Sequence, residues 1–555
     1  MFGGGPLGRM WVLGFVIATF IQAFAAFAGK ADVKTSVRVC DNFYKHVCHD
    51  GNDESHRNTP AFLKTLLYKK VRGILEEEHR HIEKEGMDSG ATDEHVNIGI
   101  MARKLYSTCV QDQHKNSKEK VRESLKEILR SVGIDEWPLT HESHQKYEKV
   151  LQSTGLRPVA TIAPVPDKKN PRYMLAVNAP LPRFAPYPDT MVKIRSRRRM
   201  YQAYKDLIGT VLNLFCEKQG GEVDPKTGSQ DDANDYWSSY EEDSSVVEES
   251  QTEAEEERAI EQVISDIIDV EVSIAQMIIN GRVIDYYQTD TVQNWQNRFG
   301  RFPFLAGLAM DVKRANRTLE NNSEVGIHLL DYFKKLAKYL ETLEVRKLVN
   351  YIGWYFVREV ADVMTFEVRN YLNSFLRTLP KPGIQVDLNE NHCIDKLIGY
   401  HGVMEAGIAH LYLLRYFGEG AIENVSGVAH YLNSSFYSFV GMNSWMDTEA
   451  HENSLQWMRE LQYQIGAPHK LLDESAIQQQ YDLVKVGAQD TLLRYIYAYR
   501  DNNFLQMLRK NGQAYDRKDI WPVSTLATDG RYSEFYTCLG GCTMRAFMFA
   551  PQLIR

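Results

Sequence analysis

The sequence predicts a mainly α-helical fold with one small β element. Along several long segments, apolar residues recur at alternating steps of three and four, which is typical of one face of an amphipathic helix. Strand-like alternation bounded by turn residues is found at residues 156–180, where a turn at Asp167–Pro171 predicts a β-hairpin. The chain has 555 residues, of which 43% are apolar, so it is long enough to bury a sizeable core.

Four segments carry the helical pattern, and we predict helices at 119–133, 257–278, 328–360 and 454–466. The third segment has the most regular stripe, with apolar residues at every third or fourth position. That stripe consists of Leu329, Phe333, Leu336, Leu340 and Leu343.

Acidic residues are concentrated in one segment. Residues 231–257 contain twelve Asp or Glu and no Lys or Arg, within a polar stretch at 219–257 that is poor in aliphatic residues. Such a stretch cannot bury enough apolar surface to offset the entropy of ordering, so we predict a disordered acidic insert. The rest of the chain carries a net charge of +4, which gives no general argument for binding nucleic acid.

The amino terminus resembles an export signal. Arg9 precedes an apolar run at 11–28, and Ala26-Phe27-Ala28 offers a small-x-small cleavage site before Gly29. We predict that 1–28 is a signal peptide and that the chain is secreted. The alternative is an uncleaved signal anchor at 11–28, which would make a type II membrane protein with its bulk outside the cell.

Glycosylation and disulfide formation both fit an exported chain. Asn-x-Ser/Thr sequons occur at Asn316, Asn321, Asn424 and Asn433, and we predict these as glycosylation sites. Seven cysteines in an oxidising compartment indicate disulfides, and the odd number leaves at least one thiol free or bonded to another chain. The cysteines are Cys40, Cys48, Cys109, Cys216, Cys393, Cys538 and Cys542.

No zinc-peptidase signature is found by reading the residues alone. A His-Glu-x-x-His helix presents two histidines to one metal and a glutamate to the bound water, and the sequence has none. The segment 141–144 has its histidines three apart, and His451-Glu452 is followed by Leu455 where the second histidine would stand. His401 and His410 lie nine residues apart, on opposite sides of a helix, so we interpret them as core or surface histidines.

Other chemical motifs are also missing. The sequence contains no Gly-x-Ser-x-Gly elbow, no Walker loop and no Cys-x-x-Cys pair. A basic cluster at 193–204 is interpreted as the solvated start of a helix, with heparin binding or convertase cleavage as alternatives.

Ordered landmarks resemble the ectodomain of neprilysin-family zinc endopeptidases. The stretch VCDNFYKHVC at 39–48 is similar to the opening Cys-x-Asp-Phe-Tyr-x-Tyr-x-Cys-Gly of that family. Six further segments follow in the family's order: KLYSTCVQ at 104–111, DKKNPRYMLAV at 167–177, VQNW at 292–295, LVNYIGWYFV at 348–357, and the longer segments 391–417 and 445–468. The resemblance therefore covers about residues 36–470 and implies a large helical lobe of a neprilysin-like ectodomain.

The family's zinc chemistry follows this region. Its members carry an Asn-Ala-Tyr/Phe motif, then His-Glu-x-x-His, then a Glu-x-x-x-Asp helix that supplies the third ligand. Here Trp521-Pro522-Val523 leads into Ser524-Thr525-Leu526, and no histidine follows His469. The resemblance thus divides the chain into a helical region at 29–520 and a divergent tail at 521–555, and it carries no catalytic residue and no zinc ligand onto this sequence.

The resemblance also implies disulfide pairs. Cys109 should bond to Cys393, because both matching segments are present. In the family, the cysteines that correspond to Cys40 and Cys48 bond to cysteines in the catalytic part. Replacement partners are therefore needed, and they would come from Cys538, Cys542 and Cys216.

Two functional hypotheses follow. In the first, the chain is a secreted neprilysin-like protein without a zinc site that does not hydrolyse peptides but binds peptides or another protein. In the second, it is an incomplete copy of an active zinc endopeptidase. Because family members enclose a cavity between two helical lobes, a missing lobe would leave apolar helix faces uncovered. We expect these faces to bind a partner or to cause self-association.

Overall fold

The structure is a computed structural model of the chain. It describes the following residues: 59–77, 97–112, 117–167, 170–180, 188–215, 244–281, 287–380, 391–399, 402–417, 419–487, 490–514, 521, 524–527, 530–536 and 543–549. Helices dominate these ranges, so the predicted mainly α class is confirmed.

Nine of the described helices lie between residues 59 and 314. They are α1 (Thr59–Glu77), α2 (Ile98–Asp112), α3 (Lys118–Ser131), α4 (Tyr147–Thr154), α5 (Pro188–Val192), α6 (Arg198–Leu212), α7 (Ser244–Ile279), α8 (Val292–Phe299) and α9 (Phe304–Arg314). The later helices are α10 (Leu330–Thr342), α11 (Val345–Arg358), α12 (Phe366–Thr378), α13 (His392–Ile398), α14 (Glu405–Tyr416), α15 (Glu419–Met442), α16 (Thr448–Glu460), α17 (Glu474–Gln480) and α18 (Leu492–Arg509).

Seven described strands form two small sheets. The strands are β1 (Thr161–Pro166), β2 (Tyr173–Asn178), β3 (Gln288–Thr291), β4 (Glu324–Ile327), β5 (Leu461–Ile465), β6 (Gly530–Tyr536) and β7 (Thr543–Phe549). The first sheet has the order β1-β2-β4-β3, and its β1-β2 pair is the predicted antiparallel hairpin, with Thr161 opposite Asn178. The second sheet has the order β5-β7-β6.

The segment predicted as one helix at 328–360 is two helices. Leu343 and Glu344, between α10 and α11, have extended backbone angles. This break turns the start of α11 toward α7, where Arg346 lies 2.5 Å from the buried carboxylate of Asp266. The apolar stripe is itself interrupted here, because Arg346 and Lys347 occupy the positions three and four residues after Leu343, and the prediction of one helix missed this signal.

The helix predicted at 454–466 is also wrong in its second half. Helix α16 ends at Glu460, and residues 461–465 form strand β5. The partner of β5 is β7, about eighty residues later, paired with Leu461 opposite Arg545. A strand partner so distant in sequence overrides the local helical pattern.

The prediction of a disordered acidic insert needs a correction at its end. Helix α7 begins at Ser244, so residues 244–257 are helical. Residues 219–243 lie outside the described residues.

Side chains of the 348–357 landmark hold the core together by hydrogen bonds. Asn350 is buried, and its side chain both accepts from the backbone N–H of Leu139 at 2.8 Å and donates to the Leu139 carbonyl at 2.9 Å. Tyr351 donates to the carbonyl of Pro158, and the Trp354 indole donates to the hydroxyl of Tyr204. These bonds satisfy buried polar groups that would otherwise destabilise the fold.

A disulfide connects two helices that are distant in sequence. Cys109 on α2 and Cys393 on α13 are bonded to each other across 284 residues, and both are buried. The structure therefore contains the bond that the family resemblance implies. Cys40, Cys48, Cys216, Cys538 and Cys542 lie outside the described residues, and their pairing stays a prediction.

Candidate functional site

The histidines do not assemble a metal site in the described residues. His410 on α14 is buried, and its Nδ1 lies 2.7 Å from the carbonyl oxygen of Leu471, so this ring secures the turn at His469–Leu471. Glu405 begins the same helix, whereas His401 lies outside the described residues. The interpretation of His410 as a core histidine is consistent with this contact.

The remaining sequence candidates for metal binding are separated. His141 and His144 are exposed in a loop, and His451 and Glu452 lie on α16. Across the described ranges, no group of three His, Cys, Asp or Glu side chains is placed to hold a metal ion. The described residues therefore do not fit the zinc ion that the family resemblance implies, and we derive no reaction step through zinc.

Strand β6 lies at one side of the second sheet. Strand β6 pairs antiparallel with β7, from Gly530 opposite Phe549 to Tyr536 opposite Thr543. Strand β7 pairs on its other side with β5, and no described strand pairs with the outer edge of β6. Every second residue along an outer edge directs its backbone N–H and C=O groups away from the sheet, where they can pair with an added strand.

A helix lies beside β5, the strand at the opposite side of the sheet from β6. Helix α15 contacts β5, and the chain leaves β5 at Gly466, which has a φ of +84°. A Cβ atom at this position would lie 2.8 Å from the ring of Phe417, so glycine is needed for both the backbone angle and the close approach. This turn fixes β5 beside α15, at the opposite side of the sheet from β6.

An exposed apolar face lies on α15 and the turn after it. The exposed fractions are 75% for Tyr431, 57% for Phe439, 79% for Met442 and 71% for Trp445. At 100° per residue, Phe439 and Met442 lie within about 80° of Tyr431 around the helix axis. We call these four residues the α15 face.

The sequons fall in two different settings. Asn316 and Asn321 are exposed in the loop between α9 and β4. Asn424 and Asn433 lie on α15, and the Oδ1 atom of Asn433 is buried without a hydrogen bond. Glycosylation stays a prediction at all four positions, and the structure favours it at the loop pair.

The segment at 11–28 lies outside the described residues. Among the helices that the structure does describe, none combines the length and the apolarity needed to cross a bilayer.

Sequence reasoning missed both the open edge of β6 and the α15 face. The alternation of LQYQI at 461–465 and RYSEFY at 531–536 was a signal for strands. The aromatic and methionine residues of 431–445, separated by serines, were a signal for an apolar face on a polar helix.

Comparison with known proteins identifies the family. The sequence pattern described as Peptidase family M13 matches residues 39–468, which is most of the chain. The chain belongs to peptidase family M13. Curated relatives of this M13 chain include Membrane metallo-endopeptidase-like 1 of Mus musculus, with 20% identity over 519 residues, and Neprilysin-11 of Caenorhabditis elegans, with 21% identity over 492 residues.

The M13 chain is shorter than these relatives. The two alignments cover 89% and 83% of this chain, but 61% of the mouse protein and 50% of the nematode protein. Solved structures agree on the fold. The zinc metalloprotease ZMP1 of Mycobacterium tuberculosis in complex with an inhibitor matches with a TM-score of 0.61 at 14% identity, covering 95% of this chain and 69% of that one.

Proposed function

We propose that this M13 chain binds an extended peptide segment along the open edge of β6 and does not hydrolyse it. The observation that carries the proposal is that, among the strands that the structure describes, none pairs with the outer edge of this seven-residue strand. An extended peptide can add to such an edge as a further strand, with affinity from main-chain hydrogen bonds.

The sequence of β6 supports this mode. The β6 sequence GRYSEFY contains no proline, so no residue of the strand lacks a backbone N–H. The edge is therefore suited to main-chain pairing with an extended segment.

The absence of hydrolysis is the second half of the proposal. Zinc peptidases need a metal-bound water and a general base, and the 555 residues contain no His-Glu-x-x-His. We further propose that the chain acts outside the cell, either secreted or held by an anchor at 11–28.

The binding mode can be tested with backbone-modified peptides. A peptide that binds the chain in fluorescence anisotropy would be N-methylated at alternate amides in two separate series, one for each register. Because an added strand bonds through every second amide, methylation in one series should abolish binding and in the other should leave it largely unchanged. Equal losses in both series would refute edge binding.

Hydrolysis can be followed in the same samples by mass spectrometry after zinc is added. We expect the peptide to remain intact. Cleavage that a chelator stops would refute the proposed lack of activity and leave the binding result standing.

A second candidate function rests on the comparison of lengths. The mouse and nematode relatives extend well beyond the region that this chain matches. In this alternative, the chain is the amino-terminal part of a zinc endopeptidase. Sequencing the transcript from codon 500 to its stop decides between the candidates, because an open frame that continues into Asn-Ala-Tyr and His-Glu-x-x-His supports the enzyme.

A further inference from the structure

The loop before α6 carries a dense group of cations. Lys193, Arg195, Arg197, Arg198 and Arg199 fall within seven residues, and all five are exposed. We call these residues the basic cluster. It is independent of the β6 edge and of the proposed function.

The basic cluster is held on ordered backbone. Residues Ile194–Ser196 form a 3-10 turn, and α6 begins at Arg198. Ile194 and Met200, which flank the arginines, are both buried in the core. The two buried side chains fix the segment at each end, so the cations point outward from a rigid scaffold.

Carboxylates neutralise little of this charge. Arg195 pairs with Asp269 on α7. Within the part of the chain that the structure describes, no ion pair joins Lys193, Arg197, Arg198 or Arg199 to an acidic side chain. Four of the five charges are therefore available to a partner.

The acidic run of α7 lies away from the basic cluster. Arg195 pairs with Asp269, and Lys205, further along α6, pairs with Glu261, so α6 and α7 run in opposite directions. Glu257, the last residue of the acidic run, is twelve residues before Asp269, which is roughly 18 Å along a helix. The chain thus carries strong positive and negative charge at separate places.

We infer that the basic cluster binds a sulfated polysaccharide. Guanidinium groups bind oxyanions such as sulfate through paired hydrogen bonds, and four exposed cations within seven residues can contact more than one sulfate of a linear chain. Such binding is electrostatic and weakens as salt displaces the partner.

Three other roles fit the structure less well. Basic segments that bind membranes usually insert neighbouring apolar side chains, but Ile194 and Met200 are buried. Single-stranded nucleic acid is usually bound with exposed aromatic side chains for base stacking, and the basic cluster includes none. Proteolytic processing is concentrated at exposed loop tips, whereas this segment is a turn and a helix start anchored at both ends.

The test uses retention of the full chain on immobilised heparin, with a sulfonate cation exchanger as the reference column. The variant Arg197→Gln/Arg198→Gln/Arg199→Gln removes three exposed charges. A control variant, Lys313→Gln/Lys334→Gln/Lys338→Gln, removes three exposed charges elsewhere. We expect the arginine variant to elute from heparin at clearly lower NaCl than the control, and the two to elute together from the sulfonate column.

Two further measurements complete the test. In solution, the slope of log K against log [NaCl] for heparin should fall by about 2 in the arginine variant, as for loss of contacts to other linear polyanions. Replacing the three arginines by lysine should restore the slope but only part of the affinity, because lysine lacks the planar fork.

Several results would overturn the inference. One is an equal shift of both triple variants on heparin. Another is binding to vesicles of anionic phospholipid or to single-stranded DNA that depends on the basic cluster, without binding to heparin. A third is a chain from the culture medium whose new amino terminus lies within residues 196–200, because the segment would then be a processing site.

Discussion

The carboxylate of Asp501 on α18 accepts a hydrogen bond from Arg157 at 3.0 Å, and its second oxygen accepts one from Arg314 at 2.8 Å. All three side chains are largely buried. One carboxylate thus connects the segment before β1, the end of α9 and the middle of α18, which are far apart in sequence.

Replacement of Asp501 by Asn should strongly destabilise the fold. The change would leave two buried guanidinium groups without their shared counter-charge, and breaking a buried ion pair from one side costs about 3–5 kcal/mol. We expect a loss of that size in the free energy of unfolding, measured in urea. The matched control is Glu123→Gln, which breaks an exposed pair with Lys126 and should cost less than about 1 kcal/mol. Equal effects of the two changes would contradict this view of Asp501.

Asp311 should make stability depend on pH. Burial raises the pKa of Asp311 to about 7, although the backbone N–H of Leu156 and the cations of Arg314 and Arg157 act in the opposite direction. A carboxyl with a raised pKa in the folded state contributes stability below its unfolded pKa of 3.8 and loses that contribution as pH rises toward 7. The loss amounts to roughly 4 kcal/mol, at 1.36 kcal/mol per unit.

The variant Asp311→Asn isolates this effect. Its side chain does not ionise, so its free energy of unfolding relative to the natural chain should rise from pH 4 to pH 7 and then level off. Urea unfolding at one-unit pH steps measures the difference. Parallel curves for the two proteins over this range would show that Asp311 ionises in the folded state as it does in the unfolded one.

The Cys109–Cys393 bond should contribute substantially to stability. It closes a loop across a sequence separation of 284 residues, and crosslinks of long loops restrict the unfolded chain most. We expect the double variant Cys109→Ala/Cys393→Ala to lose about 2–5 kcal/mol. The measurement is the urea midpoint under oxidising conditions, and an unchanged midpoint would show that the bond does not constrain the unfolded state.

Gly353 on α11 should not tolerate a side chain. A Cβ atom there would lie 2.2 Å from Cδ1 and Nε1 of Trp137, whose indole N–H donates to the carbonyl of Asn350. We expect Gly353→Ala to cost about 1–3 kcal/mol through overpacking. Gly427→Ala, on α15 with open space around it, should instead stabilise the fold by up to about 1 kcal/mol. Thermal unfolding of both variants tests the contrast, and a stabilised Gly353→Ala would refute it.

Local patterns predicted those parts of the fold that depend on nearby residues. The β1-β2 hairpin was predictable because its turn and both strands lie within one short segment, and Asn170 donates to Asp167 inside that turn. The amphipathic helix α3 was predictable for the same reason, and its N-cap is Ser117, whose side chain accepts from the N–H of Lys120.

Features that depend on distant residues were not predictable from local patterns. Strand β5 pairs with β7, which lies about eighty residues later and is not visible in the local sequence. The break at Leu343 differs, because Arg346 and Lys347 interrupt the apolar stripe there and were a local signal for it. The candidate site shares the difficulty of β5, since an open strand edge is defined by the whole sheet and not by any motif within β6.

The α15 face should drive association. Tyr431, Phe439, Met442 and Trp445 are all more than half exposed, and apolar side chains clustered on one face of a helix usually mark a contact surface. We expect the natural chain to bind a hydrophobic dye and to form dimers or larger species as its concentration rises, measured by light scattering after size exclusion.

Substitution can show whether this face is responsible. The variant Tyr431→Ser/Phe439→Ser/Met442→Gln should lower dye binding and shift the equilibrium toward monomer without loss of stability, because these side chains have little core contact to lose. A control variant with Leu414→Ser and Leu472→Ser changes two other exposed apolar residues and should leave association unchanged. If the natural chain stays monomeric and binds no dye, the α15 face needs no partner. If both variants lose association equally, the cause is the general apolarity of the surface and not this face.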